Sequence, residues 1–256
     1  MNHQETQSPI APPPRIALLA CDVLEGEIAL LTRGASHIME SRLFEIFLHD
    51  RSDHLRTTLQ ENLDAVDART DIDAVVLVYG LCGRGTVGLR LRRHKLVIPR
   101  AHDCITLFMG SKEAYADHQR RCPSCYYYTP GWNQARRVPG PEMFEAMRDD
   151  LATRYDEDDL EFLLDAQREL YAQHDTATYI NLGTDNAAEE AAYARHCADW
   201  LGWKFEQRPG DPALLRDLLW GNWDSERFLV IDPGQQVGQA ADESIMRADP
   251  VPTPRA

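Results

Sequence analysis

Three of the chain's six cysteines stand where a parallel sheet would present them. Cys21 closes the apolar run "RIALLAC", Cys82 comes just past "DAVVLVYG", and Cys104 follows "KLVIPRAHD". In open parallel sheets, ligands bind outside the carboxyl ends of the strands. If the three strands are neighbours, their thiols meet in one crevice. His102 precedes Cys104 by two positions, so in an extended segment the two side chains share a face. Thiolate and imidazole suit tetrahedral zinc. Three protein ligands with an open fourth position form the catalytic arrangement, in which the metal lowers the pKa of a bound water or thiol. A [4Fe-4S] cluster with one substrate-binding iron would use the same three cysteines. The spacing leaves Zn2+ and iron–sulfur both open. It also leaves the plainer reading of buried cysteines as small hydrophobes.

Other residues could complete such a site. Asp103 could orient His102 or move a proton, which would make the pair catalytic. Arg84 and Arg100 could hold an anionic substrate group. Gly83 and Gly85, in "YGLCGRGTVG", allow close backbone approach to a ligand, although the run matches neither a dinucleotide fingerprint nor a Walker A loop. "YYYTPGW" supplies Tyr128 and Trp132, which could wall a substrate pocket, close as a lid, or pin a loop to the core. The "CPSC" pair, Cys122 and Cys125, reads as a redox pair, half of a zinc knuckle, or a surface dithiol. Cys197 falls inside a helical pattern and reads as core, and "DEDDLE" reads as a helix start.

The elements that must position these residues alternate. Strand patterns cover "RIALLA", "DAVVLVYG", "KLVIPR", "TATYINLG", "KFEQRP" and "RFLVIDPG". Helical patterns lie between them, including Glu25 to Leu31 and Ser52 to Val66. One or two helices span Asp103 to Arg121, interrupted at Gly110 and Ser111, and more cover the stretch after Pro141. Ser41 to His49 fits either period, and Asp211 and Pro212 are placed to begin a late helix. The pattern predicts an α/β fold with a mostly parallel sheet flanked by helices, Rossmann-like, and a loop-rich aromatic insertion around "CPSCYYYTPGW". Residues 1–14 read as a disordered leader, 15–234 as the α/β domain with a division into two lobes near 140–175, and 235–256 as a flexible tail.

Composition narrows the class. Of 256 residues, 43% are hydrophobic, enough for a sizeable core without disulfides. The net charge of −14 argues against a nucleic-acid partner. "GLRLRRHK" is the one dense basic stretch and reads as a solvated surface. The start lacks the apolar core of a signal peptide, and no run reaches the roughly 20 residues of a membrane span. The expectation is a cytoplasmic protein with reduced thiols, acting on a small molecule and on no membrane.

"LLACDVLEGEI", "VLVYGLCGRG", "LVIPRAHDCITLFMGS", "YYYTPGW", "LLWGNW" and "FLVIDPG" occur in that order. Together they resemble the DUF1638 family from about Arg15 to Gly234, and the family's cysteine and histidine pattern maps onto Cys21, Cys82, His102, Asp103 and Cys104. Members are often found alongside corrinoid-dependent methyltransferases. The resemblance therefore implies one-carbon metabolism, with a corrinoid protein or methyltransferase as partner. The chain would then be a metal-dependent methyltransferase or lyase, or a non-catalytic accessory or carrier.

Overall fold

Two runs of branched and small apolar residues form the centre of the molecule. In the computed structural model, which describes residues 12–252, β1 (Ile16–Cys21) and β3 (Ala74–Val78) are buried at every position. A strand covered on both faces must be apolar throughout, and that is how both read. They pair in parallel with each other. β2 (Ile38–Phe44) flanks β1 and β4 (Lys95–Pro99) flanks β3, also in parallel. β8 (Phe228–Ile231) closes the far edge against β4, antiparallel. The sheet order is β2-β1-β3-β4-β8. The Ser41–His49 ambiguity resolves into the end of β2 and a short 3-10 turn at Ile46–Asp50.

Helices cover the sheet through apolar stripes. α2 (Ser52–Val66) buries Leu55, Leu59, Leu63 and Val66, spaced three or four apart on one face. α9 (Ala213–Trp220) buries two leucine pairs, Leu214–Leu215 and Leu218–Leu219. Each fully buried leucine stabilises by about 1.5–3 kcal/mol relative to exposure. α1 (Glu25–Leu31) follows β1, and α3 (Cys104–Met109) and α4 (Lys112–Arg121) follow β4. The Gly110–Ser111 break between α3 and α4 is real. Gly110 is left-handed at φ 82°, and the Ser111 hydroxyl accepts from Ala114 N at 3.0 Å.

A second, three-stranded parallel sheet holds β5 (Cys125–Tyr128), β6 (Thr176–Asn181) and β7 (Lys204–Pro209). Its core is aromatic and small, with Tyr128 and Tyr179 packed against Ala194, Cys197 and Ala198 of α8 (Ala187–Leu201). α5 (Pro130–Gln134) follows β5. α6 (Pro141–Ala152) and α7 (Glu157–Tyr171) pack on each other through Met143, Phe144, Leu160 and Leu164. Asp156 caps the acidic start of α7.

The chain is thus a mixed α/β protein with a mostly parallel central sheet flanked by helices. Two expectations are corrected. The aromatic stretch is not a loop: Cys125–Tyr128 forms a strand because β6 offers it a parallel partner. The tail is ordered as far as Pro250, because β9 (Gln235–Gln239) and β10 (Met246–Pro250) pair as an antiparallel hairpin. That hairpin is stitched to the β3–β4 connection, with Gly88 N donating to Val237 O at 2.7 Å and Val237 N to Leu89 O at 2.9 Å. Of the expected leader, residues 1–11 lie outside the described residues. Pro14 packs against Gly221.

The late helix also begins one residue away from expectation. Pro212 is its N-cap, and Asp211 accepts instead from Ala213 N at 2.8 Å. In the basic stretch, the backbone N–H groups of Arg92, Arg93 and His94 converge on the Asp67 carboxylate. Burial works against this charge, but those bonds and the His94 ring hold Asp67 below the usual carboxylate range. Among the described residues, no helix is long and apolar enough to cross a membrane.

Candidate functional site: three thiols at one sheet edge

β1, β3 and β4 are parallel neighbours, so their carboxyl ends share one edge of the sheet. Beyond the strands, the two chains that carry Cys82 and Cys104 stay zipped together. Leu81 N donates to Ala101 O at 2.8 Å, and Cys82 N donates to His102 O at 3.0 Å. Gly80 makes this approach possible. A Cβ there would stand 2.7 Å from Asp103 N and 2.9 Å from His102 C, where no side chain fits.

The Cys82 turn is strained. Cys82, Gly83 and Arg84 are all left-handed, at φ 44°, 59° and 72°. For the two non-glycine residues this conformation costs on the order of 1 kcal/mol each, and such strain clusters at functional positions. The turn is held on α2. The Ser52 hydroxyl donates to Gly83 O at 2.9 Å, and the Arg56 guanidinium donates to Arg84 O at 3.0 Å. Gly85 meets the Leu55 side chain at what would be 2.5 Å from a Cβ.

α5 packs against this edge from the second sheet. Thr129 caps it, and Gly131 lies so close to β1's exit that a Cβ would reach 2.1 Å from Val23 O. This contact seats Trp132 edge-on against Phe47 and His49, with its indole N–H donating to Cys104 Sγ at 3.4 Å.

Burial keeps all three thiols protonated. It pushes Cys21 up to about 12, with the Asp22 charge adding to the effect. It pushes Cys82 up to about 12, with Cys21 and Asp103 adding. It raises Cys104 well above the ordinary value; Asp103, Cys21 and Cys82 add, and the Trp132 N–H opposes. Each of the three is thus within electrostatic reach of at least one other. The buried Tyr79 hydroxyl lies beside Cys21 yet meets no partner at hydrogen-bond geometry. As the side chains stand, no three His, Cys, Asp or Glu groups among the described residues converge as a ready ligand set.

The other candidates are distributed around this crevice. The exposed His102 ring lines an adjacent cavity of about 540 Å³ with Asp103, Lys112 and Tyr115. Asp103 is bonded not to His102 but to Ile105 N at 3.0 Å, as the α3 cap, and to the Tyr115 hydroxyl at 3.1 Å. Burial raises its pKa, and the Tyr115 bond opposes that. Arg100 donates to the carbonyls of Ser225, Ser244 and Met246, at the wall of a separate cavity of about 510 Å³. Arg84 lines a smaller hollow, of about 400 Å³, together with residues of the β9–β10 hairpin. Tyr128 is fully buried in the second core, with its hydroxyl donating to Pro139 O at 2.6 Å.

The structure brings Cys21, Cys82 and Cys104 to the same edge of the central sheet, with Trp132 bonded to the Cys104 sulfur. It sets His102 and Asp103 at the neighbouring cavity and uses Arg100 and Tyr128 elsewhere. Sequence reasoning missed Tyr79 and Tyr115. Tyr79 was legible as a polar end to an otherwise apolar strand, whereas Tyr115 lies on a polar helix and gives no such signal.

No curated protein and no solved structure matches the chain. One family does, over residues 43–219, more than half of the chain. The match takes in Cys82, His102, Asp103 and Cys104 and leaves Cys21 outside. The chain belongs to DUF1638, a family of proteins of unknown function.

Proposed function

We propose that the crevice of Cys21, Cys82 and Cys104 is a thiolate metal centre for zinc, serving a reaction on a small molecule bound in the cavity lined by His102. One observation carries the reading: three thiols stand at one edge of three adjacent parallel strands, and one of them sits on strained backbone. The donor set suits the ion, because soft sulfur ligands favour zinc and give up their protons on binding it. Cys21, Cys82 and Cys104 would hold the ion, with the orphaned Tyr79 hydroxyl beside them. A zinc ion there would supply a lowered pKa to a bound thiol or water. Trp132 orients the Cys104 sulfur and excludes water from it. Asp103 and Tyr115 hold a proton between them at the cavity wall, and His102 presents an exposed imidazole to the bound molecule. Methyl transfer to a small thiol is the reaction class that the family resemblance suggests, with a corrinoid protein as methyl donor.

Metal analysis and a visible spectrum of anaerobically purified protein test this reading. The expected result is a colourless protein with about one zinc per chain, lost on Cys82→Ala or Cys104→Ala. A brown protein would move the assignment to the iron–sulfur alternative. The reading fails if added zinc neither binds nor slows alkylation of the three thiols.

A further inference from the structure

The second sheet carries its own pair of thiols. Cys122 ends α4, its N–H donating to His118 O at 2.8 Å, and Cys125 opens β5. Between them "CPSC" makes a tight turn closed by Cys125 N donating to Cys122 O at 3.3 Å. Such a turn holds its end Cα atoms within about 7 Å, which is disulfide range. The two sulfurs differ in access: Cys125 is buried and Cys122 half-buried.

A buried imidazole serves the inner sulfur. His118 is 2% exposed, and its Nδ1 lies 3.8 Å from Cys125 Sγ and 2.8 Å from the Tyr127 hydroxyl. Its Nε2 lies 3.2 Å from Glu206 Oε2, on β7. The carboxylate favours the tautomer with the proton on Nε2, which makes Nδ1 the acceptor, shared between the Tyr127 hydroxyl and the Cys125 thiol. Sulfur, imidazole and carboxylate thus form a row, the arrangement that activates a thiol. Burial pushes Cys125 up to about 11, with the Cys122 thiol adding, so Cys125 needs a base to react and has one.

We propose that Cys122 and Cys125 are a reversible dithiol–disulfide redox site, with Cys122 as the attacking thiol and Cys125 as the resolving thiol served by His118. The oxidant is a low-molecular-weight disulfide. Cys122, as thiolate, attacks one of its sulfurs, the S–S bond breaks, and the first small thiolate leaves and takes up the proton Cys122 had lost. Cys125 passes its proton to His118 Nδ1 and attacks the Cys122 sulfur, and the second small thiol leaves with that proton. Two protein thiols are oxidised to one disulfide while the small disulfide is reduced to two thiols. The site lies next to the three-thiol crevice: Tyr127, which bonds His118, packs edge-on at 5.6 Å against Tyr115, which bonds Asp103.

The test uses the full chain, reduced and equilibrated anaerobically in buffers of glutathione and glutathione disulfide, then alkylated and weighed intact. The expected outcome is a single step in which two of the six thiols disappear together, mapped to Cys122 and Cys125. Cys125→Ser should instead accumulate a glutathione adduct on Cys122, and Cys122→Ser should leave Cys125 reduced. Glu206→Gln should slow decay of the mixed disulfide roughly tenfold and shift its pH profile, a readout that a purely structural glutamate would not move. Thermal melts confirm that each variant is folded. The proposal is overturned if Cys122 and Cys125 alkylate fully at every glutathione ratio, if oxidation falls on the crevice cysteines alone, or if the pair is protected by stoichiometric zinc.

Discussion

The Trp132 indole donates to the Cys104 thiol at 3.4 Å, so the helix after β5 of the second sheet touches the helix after β4 of the first. This bond is the direct link between the aromatic stretch and the crevice. Trp132→Phe keeps most of the packing and removes the N–H. It should lower stability by about 1 kcal/mol in urea melts. It should also slow alkylation of Cys104, because the lost bond is the one that opposed the rise in that thiol's pKa.

Glycine substitutions separate close approach from backbone freedom. Gly80→Ala and Gly131→Ala each drive a Cβ into backbone atoms. Each should cost more than about 3 kcal/mol or prevent folding. Gly34 is left-handed at φ 76° with nothing near its would-be Cβ, so Gly34→Ala should cost only about 1 kcal/mol. Chemical denaturation of the three variants checks the order.

Strain at the Cys82 turn can be relieved without touching a sulfur. Arg84 is left-handed at φ 72°, and glycine adopts that conformation freely. Arg84→Gly should raise stability by about 0.5–1 kcal/mol. An unchanged or lower urea midpoint would show that the Arg84 side chain contributes more than its backbone costs.

Glu27 makes stability depend on pH. The residue is 1% exposed, its Oε1 has no partner, and burial pushes its pKa up to about 7. The folded-state value is raised, so its contribution is fully present below the ordinary value near 4.5 and is lost as pH rises to about 7. The loss should reach about 3 kcal/mol. Glu27→Gln should flatten that interval, as urea midpoints at pH 5 and pH 8 would show.

Much of the architecture was legible from local pattern. β1, β3 and β4 announced themselves as unbroken apolar runs, and α2 as a stripe of Leu55, Leu59, Leu63 and Val66. What local pattern cannot carry is adjacency. That β1, β3 and β4 lie side by side, the condition for Cys21, Cys82 and Cys104 to meet, is decided by pairings across tens of residues. β5 was misread because "CYYYTPG" ends on turn residues and its single partner, β6, lies 51 residues away at Cys125–Thr176. His118 and Glu206 are 88 residues apart, and nothing near either one marks the other. The β9–β10 hairpin offered little hydrophobic signal, since its core side chains, Val237, Ile245 and Met246, are scattered among polar residues and the backbone zipper at Gly88, Leu89 and Val237 shows no pattern in sequence.

The order in which the strands occur along the chain has a consequence for biogenesis. Strands β1, β3 and β4, which lead to Cys21, Cys82 and Cys104, leave the ribosome early, but β8 and the hairpin that locks the β3–β4 connection come last. At roughly 5–20 residues per second, the nascent crevice waits many seconds for its final brace. If the three thiols hold a metal as proposed, translation speed, and not only equilibrium affinity, would influence which ion reaches them first.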